Sequence, residues 1–491
     1  MNKKKILAFD YGASSGRGII GEYDGTKIEL KEVHRFSNDP VIVGETMYWD
    51  ILRLFFEMKQ GMVRAKLAGG FDSIAVDTWG VDFGLLDARG DLLENPVHYR
   101  DERTVGMIEK ALEKIDKDTM YQITGIQFME LNTVFQLLAL KSERPEILDR
   151  TDTLLLTPDL FNYFLTGKKQ AEYSIASTTQ MMDANSGDWS AELLELLDIP
   201  KEILPTIVST GTIVGKIQAS VCEELGLENV PEVIAVAGHD TQCAMASVPA
   251  KEDDFIFISC GTWSLFGTEL ERPIITADSY NLNLTNEGGY QNKTSFLKNI
   301  LGLWLVQESR RQWQREGKEF GFGELETMAS QVEGLTCFID TDAPEFMPSG
   351  NIPKRIQEYC KKTGQYVPQT EGEIVRCIND SLALKYASTK GEIETCTGKG
   401  YTTIHMVGGG IQSKMLCQLT ANACACDVMA GPIEATVYGN IVLQLLAMGE
   451  IKTMQEAREV IAASEPILTY KPQDQEDWLQ AKKRYLSILK M

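Results

Sequence analysis

The chain has 491 residues, 43% of them hydrophobic, and a formal net charge of -22 at pH 7 from 70 acidic and 48 basic side chains. That length suffices for large cores and favours two or more domains. An acidic protein of this kind repels a polyphosphate backbone and an anionic membrane surface over most approaches, so nucleic acid and membrane are excluded as main partners and a small-molecule ligand is expected.

The opening MNKKKILAFDYG has four apolar residues before Asp10, too few for a signal-peptide core, and no run approaches a membrane span. A cytoplasmic protein is expected. Ten cysteines in so long a chain do not make a disulfide scaffold, and the pair Cys424 and Cys426 has no second close pair to complete a zinc site.

The apolar run ILAF leads into DYGASSGRG, Asp10 to Gly18, a turn of small residues whose backbone N–H groups suit an anion, phosphate first of all. Two β-rich runs on either side of DG follow, a hairpin signal. The glycine turn therefore feeds a strand. A Rossmann fingerprint or a P-loop needs a helix there, and the spacing G-x-x-x-G-x-G matches neither.

Further on, FDSIAVDTWGVDFGLLDARGDLL predicts two strands around a glycine-containing loop, and helical patterns dominate from Thr104 to Leu165. PEVIAVAGHDTQCAMAS predicts a strand, a polar turn and a helix start. FIFISCGTWSLFG then repeats the logic of the opening: apolar strand, turn of small residues, second strand. Two related halves are expected, 1–248 and 249–491, joined at the charged segment PAKEDD, Pro249 to Asp254. In the second half LKNILGLWLVQESRRQW is helical in pattern, and YTTIHMVGGGIQSKMLCQLTANA predicts a strand, a triple-glycine turn and a helix whose N-terminus would meet a nucleotide.

Four small-residue turns in duplicated settings point to a nucleotide held between two domains. Phosphoryl transfer then needs a group to take the proton of the attacking hydroxyl. Asp240 in GHDT fits that role, and equally fits an N-cap of a helix starting near Thr241. Asp10 could hold Mg²⁺ through water or bond its own backbone in a turn. His239 could bind a substrate hydroxyl or orient Asp240. Asp77 and Asp82, either side of TWGV, could bind substrate hydroxyls, while Trp79 beside a strand reads as core.

The order DYGASSGR, DTWGVDF, YRD, AGHDT, SCGTWSL, NEGG, LKNILGLWL and VGGGIQ resembles the FGGY carbohydrate kinases from the first strand to about Gly439. The resemblance implies an α/β, two-domain actin-like ATPase (ribonuclease H-like) fold with ATP and sugar in the interdomain cleft. The N-terminal domain would carry the sugar site and first phosphate hairpin, the C-terminal domain the nucleotide. It also implies ATP- and Mg²⁺-dependent phosphorylation of the 1-hydroxyl of L-rhamnulose, with L-fuculose as the alternative sugar. Carried over, Ala13, Ser14, Ser15, Gly16 and Arg17 would contact phosphates, and Thr262, Gln307 and Gly409 would complete the nucleotide site. Gly80, His239, Asp240, Thr241 and Asn299 would line the sugar, with Asp82 as a companion. A non-catalytic sugar-binding regulator on this scaffold would be expected to have lost Asp240 or the opening turn, and neither is lost. Relatives place one disulfide where Cys360 and Cys377 fall and another where this chain has Thr420 opposite Cys424. The second cannot form, and free thiols are expected for the first pair in a reducing compartment.

Overall fold

The computed structural model describes residues 3–252 and 254–490. Asp253, within the segment expected to join the halves, lies outside the described residues. Packing divides the chain into two compact units: Met1–Lys251 with Glu269–Phe296 and Ala435–Glu465, and Glu252–Thr268 with Leu297–Glu434 and Pro466–Met491. The first break falls near the expected one, but the units are discontinuous. Later segments return to the first unit because their apolar faces complete its core.

In the first unit the strands are β1 (Lys4–Tyr11), β2 (Ser15–Tyr23), β3 (Ile28–Ser37), β4 (Ser73–Thr78), β5 (Thr212–Lys216) and β6 (Glu232–Ala235), ordered β5-β6-β4-β1-β2-β3. β1 pairs antiparallel with β2 and parallel with β4, and β4 is parallel to β6. Central strands buried on both faces read as continuous apolar runs, which ILAF and IAV are. One face, with Leu7, Phe9, Ile74, Val76 and Val233, packs on the helix Ile51–Leu67 through Leu54, Met58 and Met62. The other, with Ile6, Ala8 and Ile19, is covered by Val437, Ile441, Val442 and Leu445 of the helix Ala435–Ala447. The DG hairpin forms as expected: Gly25 has φ 99°, and the Asp24 carboxylate accepts from the Thr26 and Lys27 N–H groups.

The sheet of the second unit includes β7 (Ile256–Cys260), β8 (Trp263–Leu270), β9 (Thr403–Val407), β10 (Asp427–Ala430) and β11 (Leu468–Tyr470). β7 pairs antiparallel with β8 and parallel with β9, which is parallel to β10. The arrangement β7-β8-β9-β10 thus repeats β1-β2-β4-β6, a hairpin whose first strand is extended by two parallel strands. The internal duplication read from ILAFDYGASSGRG and FIFISCGTWSLFG is present in the topology.

Two local expectations are corrected. Leu297–Leu301, predicted helical, is the end of the strand Thr294–Leu301, and the helix starts only at Trp304. Leu297, Ile300 and Leu301 stand at helical spacing, and Gly302 decides otherwise by close packing: a Cβ there would lie 2.5 Å from Ser264 Oγ. The triple glycine opens a 3₁₀ turn, Gly409–Gln412, and the helix begins at Lys414 behind the N-cap Ser413, which accepts from the Leu416 N–H. Among the described residues no helix is long and apolar enough to cross a membrane.

Candidate active site

Three carboxylates gather at the carboxyl ends of three adjacent parallel strands of the first unit, the edge where open α/β sheets bind ligands. Asp10 ends β1 and Asp77 lies on β4, and the two are Cα partners across the ladder. Asp240 follows β6 through the turn Gly238–His239, which is bridged to Thr78 by a backbone hydrogen bond from the Thr78 N–H to the Gly238 carbonyl at 2.9 Å.

Each carboxylate has a distinct setting. Asp10 accepts from Arg17 at 2.5 Å, so the arginine of the opening turn sits on that acid. Asp77 is fully buried: Asn440 donates to its Oδ2 at 2.6 Å, and its Oδ1 has no hydrogen-bond partner among the described residues. Burial, then the Asp10 charge, push the Asp77 pKa well above the usual carboxylate range, against the Asn440 hydrogen bond. Asp240 is the first residue of the helix Asp240–Ala246, whose N-cap is His239 and which has no side-chain cap. The helix-cap reading of Asp240 is therefore excluded. Its side chain is 32% exposed and accepts from the Thr241 hydroxyl at 3.1 Å. Burial raises its pKa, His239 pulls it back, and Asp10 raises it further.

His239 sits between two acids. Its Nε2 is 3.6 Å from Asp240 Oδ1, and its Nδ1 is 3.0 Å from Glu287 Oε2 but poorly aligned for a hydrogen bond, so charge holds that contact. Burial alone would lower the His239 pKa; the Glu287 and Asp240 charges outweigh it and the net shift is upward. The backbone turn is fixed from behind by Glu172, which accepts from the Gly238 N–H at 2.9 Å and from Ser174 and Thr210. Glu287 and Glu172 were not singled out in the sequence. Glu287 lies inside NEGG, where its charge was a readable signal; Glu172, in AEYS, carried none.

The loop TWGV is strained. Val81, a β-branched residue, has φ 68°, and is held there by its N–H to Thr178 Oγ1 at 3.2 Å and by Thr133 donating to its carbonyl at 2.6 Å. Strain of this kind persists where the surroundings over-determine it, commonly at functional sites. Gly80, next to it, has room only for Thr178, 3.3 Å from a would-be Cβ. The sugar contact expected of Asp82 is corrected. Its Oδ2 accepts from the Trp49 and Trp79 indoles at 2.5 and 2.9 Å and from the Tyr99 N–H at 3.1 Å, and its Oδ1 accepts from Gln136 at 2.9 Å. With both oxygens engaged and the residue 1% exposed, it anchors the aromatic cluster. Burial, despite these donors, pushes the Asp82 pKa up to about 6. Trp79 packs on Trp49 at 4.0 Å, in the core.

The opening turn itself is compact. Gly12 donates to the Ser15 carbonyl, and Asn38 ties the turn down through its side chain to the Gly12 carbonyl and its N–H to the Ser14 carbonyl. Ser14 is exposed, while Ala13 and Ser15 are half-buried. Gly16 is small because the Phe36 ring leaves 2.2 Å for a Cβ, a packing reason and not close approach to a ligand.

In the second unit the counterpart residues converge. Thr262, in the turn between β7 and β8, donates to Gln307 Oε1 at 3.2 Å. The helix Trp304–Arg315 is tied to that turn by the Leu303 and Trp304 N–H groups on the Gly261 and Thr262 carbonyls. Gly410 packs against Cys260 with 2.3 Å for a would-be Cβ, whereas Gly409 faces open space. Thr262 and Gln307 thus meet at one turn, which Gly410 packs against through Cys260, and Asn299 belongs to this unit as well.

The N-terminal domain of the FGGY family of carbohydrate kinases matches residues 5–247 and its C-terminal domain residues 256–448. The rhamnulokinases of Bacteroides thetaiotaomicron and Halalkalibacterium halodurans are 40% and 41% identical, over 97% and 96% of this chain and 97% and 99% of theirs. Among solved structures, ligand-bound xylulose kinase from Lactobacillus acidophilus superposes with a TM-score of 0.81 at 17% identity, covering 99% of this chain and 98% of that one. From the duplicated hairpins, the clustered carboxylates and these matches together, the chain belongs to the FGGY family of carbohydrate kinases.

Proposed function

We propose that the protein transfers the γ-phosphoryl group of ATP to the 1-hydroxyl of L-rhamnulose, in the cytoplasm, where ATP is available. The observation that carries the substrate is that seven relatives, 36–41% identical over 94–100% of this chain, are all rhamnulokinases. An L-fuculose kinase, the alternative reading of the sequence, is not favoured by these relatives. A non-catalytic regulator would not need the partly exposed Asp240 beside His239.

Asp240 accepts the proton of the attacking hydroxyl. Its raised pKa makes it a better base than a surface carboxylate, while His239 beside it stabilises the charged form before the proton arrives. Gly80, His239, Thr241 and Asn299 line the sugar in this reading. Asp82 acts indirectly, by holding Trp79 beneath the strained Val81 turn.

The donor set fits Mg²⁺: carboxylate oxygens only, including a buried one on Asp77 without a partner. Asp10 and Asp77 would hold the ion, which supplies charge neutralisation for the phosphoryl group. The opening turn, Ala13 to Arg17, with Thr262, Gln307 and Gly409, holds the nucleotide. Arg17 both pairs with Asp10 and brings a positive charge to the turn.

The test is a kinase assay with ATP and Mg²⁺ across a panel of 2-ketoses, with the product's phosphate located by NMR. Phosphorylation of L-rhamnulose at O1, with L-fuculose well behind, is expected. Equal or better use of L-fuculose would overturn the substrate, and no transfer to any ketose would overturn the activity.

A further inference from the structure

Three cysteines from three separate segments of the second unit meet in its interior. Cys337 lies in the extended stretch after the helix Phe322–Ser330, Cys360 near the end of the helix Ile352–Lys362, and Cys377 in the second turn of the helix Glu371–Thr397. Their sulfur atoms all lie within 4.8 Å of one another. All three are free thiols, and the residues are between 0% and 2% exposed.

That spacing is close to what one cation demands. With metal–sulfur bonds of about 2.3 Å, three thiolates stand roughly 4.0 Å apart in a trigonal plane and roughly 3.8 Å apart on a tetrahedron. Each sulfur would have to move inward by about half an ångström at most.

The segment carrying Cys337 is also pinned to the two helices that carry its partners. On the Cys377 helix, Asp380 accepts from the Leu335 N–H at 2.6 Å and Ser381 from the Ile339 N–H at 3.0 Å. Just beyond the Cys360 helix, Gln365 accepts from the Phe338 N–H and donates to the Phe338 carbonyl, both at 2.8 Å, and its own N–H is bonded to the Cys360 carbonyl at 2.9 Å. The three sulfurs are thus held in place by a frame that does not involve them.

Two readings compete for such a cluster. A regulatory disulfide uses two sulfurs, leaves the third over, and needs access for an attacking thiolate or oxidant. These thiols are closed off from solvent. Three soft donors converging in a dry pocket match instead the preference of a soft d¹⁰ cation.

We propose that Cys337, Cys360 and Cys377 form a three-thiolate structural site for a soft d¹⁰ cation, Zn²⁺ or Cu⁺, that clips the Cys337 segment to both helices. Binding forms three metal–sulfur bonds and releases the three thiol protons to solvent, with no change in oxidation state. Cu⁺ is complete with three sulfurs, while Zn²⁺ takes a fourth, non-cysteine ligand.

The experiment uses the full-length protein, expressed in medium supplemented with Zn²⁺ or with copper and purified without oxygen, and reads bound metal by mass spectrometry. About one ion per chain is expected in one of the two arms, which identifies the cation. Each of Cys337→Ser, Cys360→Ser and Cys377→Ser should lose at least ten-fold in bound metal, and Cys222→Ser should lose none. Refolding the wild type with Cd²⁺ should give a sulfur-to-metal charge-transfer band, a readout that stands even if a serine variant fails to fold. Absence of metal in both arms with no Cd²⁺ band would overturn the site. So would a Cys360–Cys377 disulfide, seen as a two-dalton mass loss, or metal retained by all three variants.

Discussion

His239 and Glu287 form a buried ion pair, Nδ1 to Oε2 at 3.0 Å, on the side of the imidazole opposite the proposed base. The pair raises the histidine's folded-state pKa, so its contribution to stability is fully present below the unfolded value near 6.5 and is lost as pH rises through the higher folded value. Glu287→Gln should therefore melt lower than wild type by the equivalent of about 2 kcal/mol at pH 5.5 to 6, with the gap narrowing as pH climbs. Thermal melts across pH 5.5 to 9 check this; a gap independent of pH would mean that His239 is neutral in the pair.

Asp240→Asn keeps the shape of the side chain and removes its basicity. Turnover should fall by about 10² or more while sugar affinity, measured without nucleotide, stays within a few-fold. Because Asp240 makes no cap, the melting temperature should hardly move. Normal turnover in this variant would remove Asp240 from the reaction.

Asp77→Asn should separate stability from activity. The carboxylate is disfavoured by burial and by Asp10, so the amide should raise stability by about 1 kcal/mol, while turnover falls. In wild type, Mg²⁺ should raise the melting temperature more than it does in the variant. Equal stabilisation of the two proteins by Mg²⁺ would show that Asp77 does not contribute to holding it.

Two glycines of the nucleotide turns should behave oppositely. Gly409→Val adds a side chain into open space, so the fold should be unchanged and the KM for ATP should rise by about ten-fold. Gly16→Val drives its side chain into the Phe36 ring and should cost about 2 kcal/mol or more of stability. Melting curves and ATP titrations on both variants distinguish the roles. An unaltered KM in Gly409→Val would move the nucleotide away from that turn.

What the sequence revealed follows from how local the determining physics was. The two hairpins were legible because strand, turn and strand are contiguous, and the turn chemistry of DYGASSGRG and SCGTWSL excludes a helix. The turn that carries Asp240, at the end of an apolar strand, was legible for the same reason. Asp82 was misread because its role is set by Trp49, Trp79, Tyr99 and Gln136, brought to it by the fold. Glu172 was invisible because its work is done on Gly238, 66 positions away. The strand ending at Leu301 was missed because Leu297, Ile300 and Leu301 stand at helical spacing, and the deciding contact of Gly302 with Ser264 is tertiary.

The covering of β1 by the helix Ala435–Ala447 has a consequence for how the protein is made. The Leu7 carbonyl receives its hydrogen bond from Gln444, 437 positions later, and Ile6 and Ala8 bury themselves against residues equally distant. At about 5–20 residues per second of synthesis, that face of the sheet waits roughly twenty seconds to a minute and a half for its cover. Until then the nascent chain displays an apolar strand surface beside the ribosome exit, a natural substrate for a holding chaperone. A chain released early, anywhere before Ala435, carries that exposed face permanently and should aggregate even if every strand of its first sheet has paired.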